Sequence, residues 1–418
     1  MTANPGDGAE TAVVCKYQPE TLGALFDQHA EVCLVLDGVD TRHRAMEPEL
    51  LDRCAKVYRI SSFDSIAELS AVAVDLRSAG RVVTEVFNHQ ELSQFGAGYL
   101  KLLLGKTDNP LHHVAHRDKR LMKHLVRGAG VVTTGFRSLA DAAEEPAVAR
   151  IAGELSAPLI VKPAAGYGST TTEKVRDGAD LGSIATGLTF DSTQRSRHLI
   201  VEEYVEGEEL CVDAIWSGDK ALTFAVHKYL RPRMTVLENG LDGSTVLLPE
   251  EHPDLYERLR DMHARLNGAL GIDSGPTHLE VFERPDGELV FSEVATRPGG
   301  AWMQHMLGAY HGHPTWSLVV SAAMTGALPP LRKARPYLGG IGIRPAAPGV
   351  ITAMPADEEL RRHPDVLSWH RQRQVGDRVR QVGPSDWYMY LVLGADSADE
   401  LVETCVTAAR TFTIQTDG

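Results

Sequence analysis

Apolar and polar positions fall first into alternating strand and helix patterns, then into hairpins. Val32–Leu36 is an unbroken apolar run of the kind a buried strand shows. Glu47–Cys54 has helical spacing, and Val57–Ile60 is strand-like again. Ile66–Ser78 reads as a helix, Arg81–Phe87 as a strand and Glu91–Leu104 as an amphipathic helix. Such alternation predicts a parallel sheet with helical crossovers. Residues 11–112 are therefore expected to form a small α/β unit, preceded by a polar, disordered stretch over residues 1–10.

A helix over Arg117–Gly128 ends in Gly-Ala-Gly, a plausible stop signal. Beyond about residue 131 the pattern changes. Leu159–Pro163 and Thr172–Val175 flank a loop of glycine, serine and threonine. Leu210–Trp216 and Ala221–Tyr229 flank Ser217–Lys220, and His278–Phe282 and Glu288–Val294 flank a Pro-Asp-Gly turn. The end, Ser397–Ile414, reads as one helix and a short strand. The fold class is thus α/β followed by α+β.

Composition narrows the partners. The formal net charge is -14, which disfavours nucleic acid and anionic lipid. No apolar run approaches the roughly 18 residues of a membrane span. The first residues lack the positive and apolar regions of a secretory signal. Five dispersed cysteines without a Cys-x-x-Cys pair point to a reduced, cytoplasmic chain with neither a disulfide framework nor a zinc site.

Three segments carry candidate chemistry. In Thr277–Gly300, a two-residue Asp286-Gly287 turn would set Glu280 directly opposite Glu293. Two carboxylates at that range repel, and a hard divalent cation between them fits, since Mg²⁺ takes one or two carboxylates with phosphate oxygens and water. The alternative is a solvated strand face, and a longer turn would slip the register. Arg297, four residues past Glu293 and leading into Gly299-Gly300, can fork onto the same anion. In Leu159–Val175 a strand delivers Lys162. Gly166, Gly168, Ser169 and Thr170 follow as a flap whose donors suit phosphate oxygens. The lysine precedes the glycines, so this is not the nucleotide-binding P-loop. In Leu199–Lys228, the stretch Glu202–Val205 suits an adenine edge and Glu209 could accept from ribose hydroxyls. A Gly218-Asp219 turn would instead pair Glu209 with Lys228 as a structural ion pair.

Together these segments, in this order, resemble the ATP-grasp enzymes. So does Arg117–Lys123 with Gly130-Val131-Val132 after it, which is similar to that family's lysine helix. The likeness covers roughly residues 30–410. It implies an α/β pre-grasp domain over 11–112, two α+β subdomains gripping ATP over 113–200 and 201–308, and a C-terminal α+β domain over 309–418. By the same resemblance Lys119 and Lys162 contact ATP phosphates, Glu202 and Val205 form the adenine hinge, and Glu209 binds ribose. Glu280 and Glu293 hold magnesium, expected as two ions, and Arg297 holds the reacting phosphate. Many members carry Asn where this chain has Ala295, which removes one ligand. A small residue there, and Val226-His227-Lys228, resemble the L-amino-acid ligases. His227 and Lys228 accordingly join Arg297 as expected catalytic residues, His227 orienting a substrate.

The resemblance implies activation of a carboxylate as an acyl phosphate and its capture by an amine, both substrates small molecules and amino acids by expectation. A place in specialised metabolism and a homodimer are expected on the same footing. The rivals are an ATP-grasp carboxylase or formyl-phosphate-forming transferase, and a nucleotide-binding regulatory protein without turnover, which Ala295 would permit.

Overall fold

The computed structural model describes residues 10–418 except 29, 44, 89, 108, 191–193, 195, 236–240 and 381–386. The expected disordered start, save for Glu10, and part of the loop after Tyr229 lie outside the described residues.

The first unit is a parallel sheet. Strands β1 (Glu10–Cys15), β2 (Glu31–Leu36), β3 (Lys56–Arg59) and β4 (Val82–Asn88) are ordered β3-β2-β1-β4. Its two faces bury separate apolar clusters, one around Val13, Val35 and Leu100 and one around Val14, Leu34 and Phe26. Burial on both faces is what the continuous apolar runs require. The central strand, β1, was not anticipated. Residues 110–115 and 119–128 then form two helices that lead to the next sheet.

That sheet is a small antiparallel one. It comprises β5 (Phe136–Leu139), β6 (Leu159–Pro163), β7 (Glu173–Val175) and β8 (Leu199–Glu203), ordered β5-β8-β6-β7. The expected division after residue 200 therefore falls inside β8.

The largest sheet has eight strands. It takes in β9 (Glu208–Ser217), β10 (Lys220–Tyr229), β11 (Asp242–Val246), β12 (Ser274–Glu283), β13 (Leu289–Ala295) and β14 (Tyr337–Ile343). Strand β15 (Gly349–Ala353) belongs to a separate small sheet with β17 (Arg378–Val379) and β19 (Gln415–Thr416), whereas β16 (Val366–Arg371) and β18 (Met389–Ala395) complete the large one. The order is β13-β12-β9-β10-β11-β14-β18-β16. The last hundred residues thus extend the sheet that carries the acidic hairpin, and no break in the sheet marks residue 308.

Alternation in β9 sorts the two faces. Leu210, Val212, Ala214 and Trp216 pack into a core under helix Pro253–Leu270. Glu209, Cys211 and Asp213 point to the opposite face, towards helix Trp302–His311 and the small sheet. The cleft between those layers is the place where charged side chains collect.

Candidate functional site

The site begins with the acidic hairpin. Glu280 pairs with Glu293 as the residue pattern demands, but by a different route. The turn is longer than two residues: Arg284 N donates to Glu288 O at 3.0 Å, so Phe282 faces Val290. A register shift between Glu280 and Val281 then restores the opposition of the two glutamates. Burial would push the Glu293 carboxyl upward, yet Lys119 and Lys162 hold it down at about 2, so it is ionised.

The lysines come from two elements. Helix Lys119–Gly128 is capped by Asp118, whose carboxylate accepts from Arg120 N and Leu121 N. Lys119 and Lys123, four apart, share the buried face with Met122 and Val126. Lys119 Nζ lies 3.0 Å from Glu293 Oε2 and donates to Gly166 O at 3.0 Å. Lys123 is fully buried; its Nζ donates to Phe291 O at 3.2 Å and lies 3.5 Å from Glu202. Lys162 Nζ lies 3.4 Å from the other Glu202 oxygen. Burial lowers Lys123 to about 8. Burial would raise Glu202, but Lys123 and Lys162 hold it below the usual carboxylate range.

Glu202 is therefore the shared counter-ion of two lysines. Lys123 belongs to the helix motif, and its role was not expected from the sequence. Its spacing from Lys119 was the available signal.

The flap between β6 and β7 overlies these groups. Ser169 and Thr171 adopt positive φ values of 55° and 60° without being glycine, a strained backbone of the kind found at ligand clamps. Thr171 Oγ1 donates to Thr189 O at 2.8 Å.

Arg297 is oriented from far away in the chain. Its Nε donates to Glu91 Oε1 at 3.0 Å, and the other Glu91 oxygen accepts from Arg117 Nη1 at 3.0 Å. Arg117 Nη2 in turn donates to Ala165 O of the flap at 2.8 Å. One carboxylate of the first domain thus ties together the lysine helix, the flap and the arginine loop. Nothing in the sequence signalled Glu91, which lies 206 residues from Arg297.

Beneath that loop Asp213 is fully buried. Its Oδ1 accepts from Gly299 N at 2.8 Å and lies 3.0 Å from His278 Nδ1. Burial would lower His278, but Asp213 outweighs it and raises the imidazole to about 9.

These elements surround one cleft of about 1570 Å³. Its walls include Lys119, Lys162, Gly166, Gly168, Ser169, Thr170, Glu202, Val205, Glu209, Glu280, Glu293 and Arg297, the residues singled out from the sequence. Lys123, His278, Arg233 and Glu91 line it too. Burial, with the charge of Glu280 adding, raises the Glu209 carboxyl to about 7.

Two expected catalytic residues lie elsewhere. His227 is fully buried under the cleft wall, 3.1 Å from Asp213, and does not line the cleft. Lys228 points outward to Glu208 at 2.6 Å. Its expected pairing with Glu209 also fails. A register shift near Thr223 sets Lys228 opposite Leu210. A hairpin turn fixes register only as far as the first bulge.

Residues 155–305 match the ATP-grasp domain family. Solved structures agree over nearly the whole chain. An L-amino acid ligase from Bacillus licheniformis superposes with a TM-score of 0.75 at 16% identity, covering 98% of this chain and 99% of that one. The chain has the ATP-grasp fold. Another fold neighbour is N5-carboxyaminoimidazole ribonucleotide synthetase from Thermotoga maritima, with a TM-score of 0.66 at 15% identity over 98% of this chain and 100% of that one. By sequence this chain is 24% identical over 330 residues to an L-arginine-specific L-amino acid ligase of Bacillus subtilis, covering 77% of each chain. It is 31% identical over 191 residues to D-alanine–D-alanine ligase A of Chromobacterium violaceum, covering 44% of this chain and 50% of that one. Among the described residues no helix is long and apolar enough to cross a membrane.

Proposed function

We propose that this ATP-grasp protein is an ADP-forming carboxylate–amine ligase that activates an amino-acid carboxylate and joins it to an amine. The observation that carries the reading is the opposition of Glu280 and Glu293 in a cleft where Lys119, Lys123, Lys162 and Arg297 converge. Four fixed cations, gathered by Glu202 and Glu91 and by Glu293 of the opposed acids, suit a polyphosphate and the anion it reacts with. The sequence relative that spans most of both chains is named an amino acid ligase, which favours amide formation over carboxylation.

The acids suit Mg²⁺. They are hard oxygen donors on opposed strands, and Glu293 is ionised. Among the described residues no group of three or more candidate ligands forms, and Ala295 is buried and offers none. Two carboxylates leave most of an octahedral shell to phosphate oxygens and water, as Mg²⁺ prefers. When bound, the ion neutralises charge on the transferring phosphoryl group.

The chain's own residues do the rest. Lys123 and Lys162, gathered by Glu202, hold phosphate oxygens from the floor of the cleft, while the flap covers them and excludes water. A substrate carboxylate oxygen attacks the γ-phosphorus, and the bond from that phosphorus to the β–γ bridging oxygen breaks, releasing ADP. Arg297, aimed by Glu91, stabilises the phosphoryl oxygens. The amine nitrogen then attacks the acyl carbon, phosphate leaves with the C–O bond pair, and the nitrogen loses a proton. Asp213 fixes the Gly299 amide, and so the loop that carries Arg297. His227 contributes only through Asp213.

The test is product analysis. Phosphate release is screened across pairs of amino acids, with bicarbonate alone as the rival substrate. Release that depends on an amino-acid pair and yields an amide supports the ligase. Release driven by bicarbonate without an amino acid refutes it.

A further inference from the structure

Beyond the phosphate end the cleft continues along helix Trp302–His311 towards Leu367, Ser368 and His370 of β16 and towards Trp387. Five rings form a continuous chain there. Trp302 and Trp387 meet edge to face with centroids 5.6 Å apart, and Trp387 lies 6.3 Å from Tyr390. Tyr390 is parallel to His370 within 10°, and His370 stacks on His305 at 5.1 Å. Trp302, His305, His370 and Trp387 all line the cleft.

The sheet is built to receive these rings. A Cβ on Gly340 would come within 2.3 Å of Trp302, and one on Gly342 within 2.3 Å of Trp387. Glycine at both positions lets the indoles rest directly on strand backbone. Their N–H groups are already engaged: Trp302 Nε1 donates to Ser244 Oγ at 2.8 Å and Trp387 Nε1 donates to Asp242. Trp302 is fully buried, and Trp387 is the indole that stays partly exposed.

Formal charge at this end is gathered into one cluster. Asp242 is closed off by Arg233, Arg344 and Trp387, and Arg233 also lies over the Trp387 ring. His305 is pushed down to about 4 by burial, with His370 adding to the effect, so it is neutral at physiological pH. Its Nε2 is buried without a hydrogen-bond partner. The guanidiniums of Arg233 and Arg344 are held by Asp242, so a charged side chain entering here would lose water and meet only counter-ions already engaged. A methyl group would leave ring faces uncovered, whereas a flat apolar ring meets offset or edge-to-face partners.

We infer that this end of the cleft takes the planar aromatic side chain of one amino-acid substrate, packed among His305, His370 and Trp387. The inference rests on the ligase reading for the substrate's backbone chemistry, and on the ring cluster alone for its side chain.

The experiment is calorimetric titration of the full chain, with Mg²⁺ and a non-hydrolysable ATP analogue present. L-phenylalanine, L-tryptophan, L-alanine and L-glutamate are compared. An aromatic amino acid is expected to bind at least about 10-fold more tightly than L-alanine, with L-glutamate weakest. His370→Ala, and separately His305→Leu, should each remove most of that margin. Equal or tighter binding of L-alanine or L-glutamate overturns the inference. So does an aromatic preference that survives in both variants, or binding of none of the four. Phosphate release in matched samples reports on the ligase reading separately: an aromatic preference without release in any pair would reject the ligase and keep the pocket.

Discussion

Glu202→Gln is the most informative perturbation, because it removes one charge and almost no volume. Glu202 lies 3.5 Å from Lys123 Nζ and 3.4 Å from Lys162 Nζ. At an effective dielectric of about 20, each pair is worth roughly 5 kcal/mol before desolvation. Lys123 has a way out. With its pKa at about 8 it can shed its proton at pH 7, which caps its share of the loss near 1.4 kcal/mol. Lys162, raised above its ordinary value despite burial because of Glu202 and Glu293, has none.

A net loss of about 3–5 kcal/mol follows, the usual cost of orphaning a buried charge. For a chain of 418 residues that corresponds to a melting temperature lower by roughly 3–6 °C, read by differential scanning calorimetry. The pH dependence has a definite sign. A lysine depressed in the folded state costs stability while charged, and the cost lifts as pH rises past about 8. Above about 9 the wild-type Lys123 is already neutral, so its part of the difference between wild type and variant vanishes. The gap should widen as pH falls from 9 to 6. Lys123→Met in the Glu202→Gln background should recover part of the loss. A variant that melts with the wild type at every pH would falsify the shared counter-ion.

Other expectations follow from the same contacts. Arg297→Ala should reduce ADP formation by about 100-fold or more through a lost transition-state donor. Glu91→Gln, which only aims that guanidinium, should cost roughly 10–100-fold; ADP-release kinetics with circular dichroism on both proteins would show whether turnover falls while the fold is kept. Lys228→Ala should leave ADP formation within about 2-fold, since it loses only an exposed ion pair; a loss of turnover in steady-state assays would return this lysine to the catalytic set. The Glu209 carboxyl, raised to about 7 by burial, favours the protonated fold, so its share of stability is lost as pH rises towards 7. Glu209→Gln should flatten that slope in melting curves taken between pH 5 and 8.

Much of the site could be read from the chain because it depends on local order. The acidic hairpin, the lysine strand with its flap and the lysine helix each place their chemistry within a few residues of a turn or cap. Period and propensity act on that scale. Glu280 and Glu293 met as expected even though the turn was longer, because a bulge absorbed the difference. The same kind of bulge separated Glu209 from Lys228.

The tertiary structure decided what no local pattern encodes. It brought Glu91 to Arg297, gave Lys123 and Lys162 one counter-ion, set Asp213 beneath Gly299, and carried β14, β16 and β18 into the sheet of the acidic hairpin. Burial and charge pairing are properties of neighbours in space. A sequence fixes which side chains are available and which way each local face turns, while the partners that set their charge state are chosen only when the layers close.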